Sequence, residues 1–150
     1  MGFWDDVKNK ASGLQQGLAN EVTKYKNSTF MEAAAAGCAM MARADGNVSS
    51  EEKQKFLGFI RNSDALKVFD LTKVMASFNE VLAKYEIDPD LGEAEALARI
   101  AKLKGKPEFR TMVRVVIAVG GSDDNFDANE KGVARKICRE GAIDPSEFEL

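Results

Sequence analysis

Histidine is absent from this 150-residue chain. Histidine is the commonest general base and the usual partner of a catalytic Ser or Cys, so those catalytic arrangements are excluded. Zinc sites of the Cys₂His₂ and His-Glu-x-x-His types are excluded for the same reason. The sequence also has neither a P-loop nor a glycine-rich dinucleotide motif. Catalysis would have to rest on carboxylates, Lys or Tyr, and we therefore expect that the chain is not an enzyme.

Cysteine is scarce, with Cys38 and Cys138 far apart in the sequence. Each lies within an apolar pattern of helical spacing, and no Cys-x-x-Cys pair is present. We expect two buried free thiols. A redox pair is the alternative, although no motif supports it.

Long apolar runs are also absent, since none approaches the roughly 18 residues that suggest a membrane span. The first residues lack the basic and apolar regions of a secretory signal, and Asp6 stands where myristoylation requires Ser or Thr. A net charge of only −3 argues against a nucleic-acid partner. We therefore expect a cytoplasmic protein with no direct membrane span.

Helical periodicity runs through most of the chain. Its length suits a single domain, and residues 1–27 carry an apolar stripe that predicts an N-terminal amphipathic helix. That stripe either packs on the core or lies on a membrane surface. Further predicted helices cover about 29–44, 50–60, 65–69, 71–85, 89–103, 107–119 and 128–138, with a final short turn after Asp144.

Capping residues mark where several of these helices begin. The pattern from Thr29 to Glu32 predicts a capping box, and Asp70, Asp88 and Asp144 are predicted N-caps. Residues 113–119 are rich in β-branched side chains and would suit a strand, but no partner strand exists, so a helix is favoured. The fold class is therefore all-α, a single-domain bundle of seven to eight helices.

Two acidic segments lie 78 residues apart and share the form Asp-x-Asn-apolar-(Ser/Asp)-x-x-Glu-Lys. The first runs from Asp45 to Lys53 and the second from Asp123 to Lys131. Each follows one apolar helix and precedes another. The pattern predicts an internal duplication, in which residues 28–62 and 106–140 each form a helix–acidic turn–helix unit.

Helix capping explains part of this acidic pattern. Ser49 and Asp127 stand three residues before Glu52 and Glu130, which is the spacing of a reciprocal N-cap worth about 1 kcal/mol. Capping leaves Asp45, Asp123 and Asp124 without an explanation.

Cation binding is the other interpretation, because alternating oxygen ligands suit Ca²⁺. Neither turn is an EF-hand, since Ser50 and Ala128 replace its glycine and Phe56 and Ala134 replace its last glutamate. Each turn alone is short of ligands, so a site requires the two turns to meet. The predicted ligands of a divalent cation, with Ca²⁺ as a candidate, are Asp45, Glu52, Asp123, Asp124, Asp127 and Glu130.

These turns, together with the closing segment Ile143-Asp144-Pro145-Ser146-Glu147-Phe148, resemble the TerB family of tellurite-resistance proteins. The resemblance implies an all-helical cytoplasmic domain of the stress response, with an acidic cluster thought to bind metal. It also implies other tellurite-resistance proteins as partners, including the membrane-embedded TerC, and hence a peripheral position at the inner membrane. It implies no catalytic residues. The second segment departs from the first at Asp124, where the first has Gly46.

Tellurite is an oxyanion, and carboxylate clusters repel anions, so direct capture of tellurite at these turns is not expected. We therefore expect a non-enzymatic, divalent-cation-binding module acting in a larger complex. An acidic scaffold that binds a protein partner without metal is the alternative.

Overall fold

The computed structural model describes residue 25 and residues 27–44, 46, 48–62, 68–120 and 128–150. Within these residues the fold is all-helical and no strand occurs. The elements are α1 (Ser28–Ala42), α2 (Ser50–Asn62), α3 (Leu71–Ile87), α4 (Pro89–Ala101), α5 (Glu108–Gly120), α6 (Ala128–Glu140) and the 3₁₀ turn η1 (Pro145–Phe148).

The observed helices differ in number from the predicted seven to eight, since the described residues contain six α-helices and one 3₁₀ turn. The helix predicted in residues 1–27 lies almost wholly outside the described residues. The short helix predicted at 65–69 also falls largely outside them, and Val68 and Phe69 form a turn and a bend instead. Residues 113–119 are helical, as predicted.

Short polar side chains set the N-termini of several helices. Asp70, Asp88 and Asp144 are N-caps, as predicted, and each carboxylate accepts a bond from the backbone N–H two residues later. The predicted cap at Thr29 is wrong. Asn27 caps α1 instead, because its side-chain oxygen accepts the N–H of Phe30 at 2.9 Å. Either residue type can cap a helix, so the pattern alone could not choose between them.

Helix α1 is the central element of the core. Residues 33–41 are all buried, and the helix packs against α3, α4 and α5. Its many alanines give it no polar face, and they allow its neighbours to approach closely. At Gly37 the approach is closest, because a Cβ there would lie 2.5 Å from a methyl carbon of Val116 on α5.

Helices α1 and α3 run in the same direction. At their N-terminal ends the ring centres of Phe30 and Phe69 are 5.9 Å apart. At their C-terminal ends the guanidinium of Arg43 lies 5.2 Å from the centre of the Tyr85 ring. Helix α4 then returns beside α3, and Arg99 joins the two helices.

Aromatic contacts attach the remaining elements. Helix α2 packs on α3, where the rings of Phe56 and Phe78 stack with centres 4.3 Å apart. After α6, the chain passes so close to α5 that a Cβ at Gly141 would lie 2.2 Å from the ring of Phe109. None of the described helices is both long and apolar enough to cross a membrane.

Candidate functional site at the acidic turns

The first acidic turn begins where α1 ends. The backbone N–H of Arg43 donates to the carbonyl of Ala39 at 3.0 Å, and Gly46 donates to the carbonyl of Arg43 at 3.0 Å. Gly46 has a φ of +116°, which favours glycine because it has no Cβ. Val48 then turns partly inward and packs on the core. The turn therefore bends tightly between two anchored points.

A reciprocal capping box closes this turn, as predicted. The N–H of Glu52 donates to Oγ of Ser49 at 3.1 Å. In return, Oε1 of Glu52 accepts the N–H of Ser49 at 3.3 Å and its hydroxyl at 3.1 Å. Each side chain thus satisfies a donor that the first turn of α2 would leave open. Both bonds that the Glu52 side chain accepts use Oε1, and the carboxylate is exposed to solvent.

Of the ligands predicted in the second acidic turn, the structure describes the last one, Glu130. Glu130 is the third residue of α6, as Glu52 is of α2, but its environment differs. Its exposed fraction is only 9%, and among the described residues it is the one charged residue that is buried. A carboxylate that loses water in this way needs compensating polar contacts. Its predicted capping partner, Asp127, lies outside the described residues.

Of the six predicted metal ligands, the structure describes Glu52 and Glu130. The other four, Asp45, Asp123, Asp124 and Asp127, lie outside the described residues. Among the side chains that are described, no group of three or more carboxylates or thiols is arranged to hold a metal ion. The meeting of the two turns thus stays a prediction.

The two helices that follow the turns have different neighbours. Helix α2 packs chiefly on α3, whereas α6 packs on α1, α4 and α5. Glu52 therefore lies in the first turn of a helix at the edge of the bundle. Glu130 lies in the first turn of a helix that packs on three others. This difference explains why equivalent positions in the sequence have such different exposure.

A groove of about 330 Å³ opens beside the first turn. Among the described residues it is lined by Arg43, Val48, Lys53, Leu82 and Glu86. Sequence reasoning missed this groove. Val48 and Lys53 belong to the first acidic segment and Arg43 precedes it, but no pattern in the sequence indicates that Leu82 and Glu86 of α3 line the same groove.

Both cysteines are buried free thiols, as predicted. Burial raises the pKa of Cys38 to about 12. Burial also raises the pKa of Cys138 to about 11, with Glu147 as a smaller cause. Since the thiolate is the reactive form, neither thiol is poised for nucleophilic or redox chemistry near neutral pH.

Comparison with known proteins identifies relatives of this chain. Residues 31–150 match the family described as tellurite resistance protein TerB. A protein from Alcaligenes sp named tellurium resistance protein TerB is 42% identical over 108 residues, which cover 72% of this chain and 88% of that relative. No solved structure matches the chain.

Proposed function

The chain belongs to the tellurite resistance protein TerB family, and on that premise we propose that it is a non-enzymatic module that binds a divalent cation. Family membership supports a role in tellurite resistance. The proposal adds that the cation is held by the two acidic turns and that the module acts in the bacterial stress response.

One observation carries the proposal, namely that the helices around the two turns have the same spacing. Ala42 ends α1 and Gly120 ends α5, while Ser50 begins α2 and Ala128 begins α6. Both pairs of positions are 78 residues apart, which is also the spacing of the two acidic motifs. The two turns therefore have the same length between helices, which supports a duplicated helix–turn–helix unit as the framework of the site.

The chemistry of the turns favours a cation. Oε1 of Glu52 is engaged in the capping box, and Oε2 takes no part in those bonds. Glu130, the corresponding residue of the second turn, is largely withdrawn from water. A divalent ion bound by the aspartates of both turns would relieve the repulsion between these carboxylates.

The same electrostatics limits how the module would serve tellurite resistance. A cluster of carboxylates repels an oxyanion, so the acidic turns are suited to a cation and not to tellurite itself. We propose that the cation-loaded domain acts in a complex with other tellurite-resistance proteins, with membrane-embedded TerC as a candidate at the inner membrane.

Titration of the metal-free protein with Ca²⁺, Mg²⁺, Mn²⁺ and Zn²⁺, followed by residue-resolved NMR, tests the metal site. We expect saturable shifts at both turns for at least one ion. Replacing Asp45 and Asp123 by Asn should weaken that binding at least about tenfold, because each removes a charged oxygen ligand. Asp90→Asn is the matched control, since it removes an exposed carboxylate at the start of α4 and should leave the affinity unchanged.

The alternative is an acidic scaffold that binds a basic partner without metal. It is favoured by the Ser49–Glu52 capping box, which gives Glu52 a structural role of its own. Reversing the charges of Asp123 and Asp127 would then abolish partner binding both with and without a chelator. If none of the four ions gives a saturable response and the charge reversal abolishes partner binding, the scaffold would replace the metal site.

A further inference from the structure

The groove beside the first turn has a distinctive lining. Arg43 and Lys53 supply two positive charges, Glu86 supplies one negative charge, and Val48 and Leu82 supply apolar surface. Among the residues that the structure describes, the charged lining side chains sum to one positive charge. Its volume of about 330 Å³ falls at the lower end of the range, about 300–1,000 Å³, that is typical of small-molecule sites.

Arg43 is held in place by its position at the end of α1 and by a contact with α3. Its backbone ends α1 as the C-cap, and its guanidinium lies 5.2 Å from the centre of the Tyr85 ring on α3. The exposed fraction of Tyr85 is 8%. From α4, Gly92 presses against that ring so closely that a Cβ would lie 2.3 Å from a ring carbon. A guanidinium positioned before binding loses less conformational entropy when a ligand arrives.

We propose that this groove binds a small organic carboxylate with a short apolar body. The planar guanidinium of Arg43 matches a carboxylate in shape and charge, and Lys53 adds a second attraction. Val48 and Leu82 would contact the apolar body of the ligand. Glu86 repels additional negative charge, so the groove selects a single carboxylate over a dianion. This proposal is independent of the cation site, which uses other side chains.

NMR titration of the whole chain with isobutyrate, in the presence of EDTA, tests the proposal. We expect saturable shifts at Val48 and Leu82, with a dissociation constant of about 1 mM, a value suited to so small a ligand. At pH 8 inorganic phosphate is largely a dianion and has no apolar body, so it should bind at least about tenfold more weakly because Glu86 repels its second charge.

Substitutions at Arg43 and Glu86 should change the affinity for isobutyrate in opposite directions. Arg43→Gln should weaken isobutyrate binding at least about tenfold, since it removes a charge-assisted hydrogen bond. Glu86→Gln should strengthen it about threefold by removing a repulsion. Lys55→Gln is the matched control for lost positive charge, because Lys55 is exposed on α2 and does not line the groove. The affinity of the Lys55→Gln variant for isobutyrate should stay unchanged.

Three results would overturn the proposal. One is the absence of saturation with isobutyrate at about 50-fold the expected dissociation constant. Another is phosphate binding as tightly as isobutyrate. The third is Arg43→Gln and Glu86→Gln changing the affinity in the same direction. Should Arg43→Gln fail to fold, Arg43→Lys keeps the charge but not the planar fork, and a loss of about fivefold is expected.

Discussion

Gly37 on α1 and Val116 on α5 meet so closely that the smallest side chain at position 37 would collide with a valine methyl group. The missing Cβ would lie 2.5 Å from that methyl carbon and 3.6 Å from Cδ1 of Ile137. Val116 and Ile137 are themselves buried, with exposed fractions of 1% each, so neither has space into which to move. The crossing of α1 and α5 therefore depends on glycine.

Gly37→Ala should destabilise the fold by about 1–2 kcal/mol. Overpacking a rigid core typically costs about 1–3 kcal/mol, and the gain in helix propensity of up to about 1 kcal/mol offsets part of it. Gly58→Ala is the matched control, because a Cβ at that position of α2 meets nothing within 4 Å. It should be stabilising by about 0.5–1 kcal/mol. Urea unfolding measures both, and equal effects would contradict the packing argument.

Ser49→Ala and Glu52→Gln should separate capping from ligand binding. Removing the Ser49 hydroxyl takes away the acceptor of the Glu52 N–H and should cost about 1 kcal/mol of stability. Glutamine can keep the capping geometry at position 52, so Glu52→Gln should have a smaller effect on unfolding while weakening cation affinity. Thermal unfolding and cation titration of both variants measure the two effects. A Glu52→Gln variant with unchanged affinity would remove Glu52 from the ligand set.

Alkaline pH should destabilise the protein partly through Tyr85. Burial raises the pKa of Tyr85 from 10.0 to about 12, with a further increase from Glu93 and an opposing effect of Arg43. The neutral phenol is favoured in the folded state, so this stabilisation is fully present below pH 10 and is lost as the pH rises towards 12. Tyr85→Phe keeps the ring but cannot ionise.

Urea unfolding at pH 9 and pH 11.5 checks this prediction. The loss of stability between the two values should be smaller for Tyr85→Phe than for the unmodified chain, because the other titrating groups are common to both. Equal losses in the two proteins would show that Tyr85 does not contribute.

Arg99→Ala should destabilise the contact between α3 and α4 by about 1–3 kcal/mol. The guanidinium donates to the buried Ser77 hydroxyl at 2.9 Å and pairs with Glu80 at 2.9 Å, so its loss leaves a buried polar atom without its donor. Lys136→Ala is the comparison, because the Lys136–Glu93 pair is largely exposed. Its removal should change stability by no more than about 0.5 kcal/mol in unfolding experiments.

Local patterns predicted the helices well because their signals lie within a few residues. The caps at Asp70, Asp88 and Asp144 and the capping box at Ser49 depend on neighbouring backbone groups alone. The prediction of Thr29 as the cap of α1 failed because Asn27, two positions earlier, is also a capping residue type.

The sequence predicted the candidate site only where its geometry depends on residues that are neighbours in the chain. The acidic motif marks Glu52 and Glu130 as equivalent, but their different exposure follows from which helices α2 and α6 contact, and no spacing in the sequence encodes that. The groove depends on α3 running parallel to α1, which brings Leu82 and Glu86 into the same groove as Arg43. Such a pairing is a property of tertiary packing.

The unbroken burial of α1 has a consequence for how the domain can be divided. A helix buried on every side at residues 33–41 cannot persist as part of a free-standing half, because separation at any point between residues 62 and 106 would expose its alanine and methionine surface to water. Each half would then collapse or self-associate.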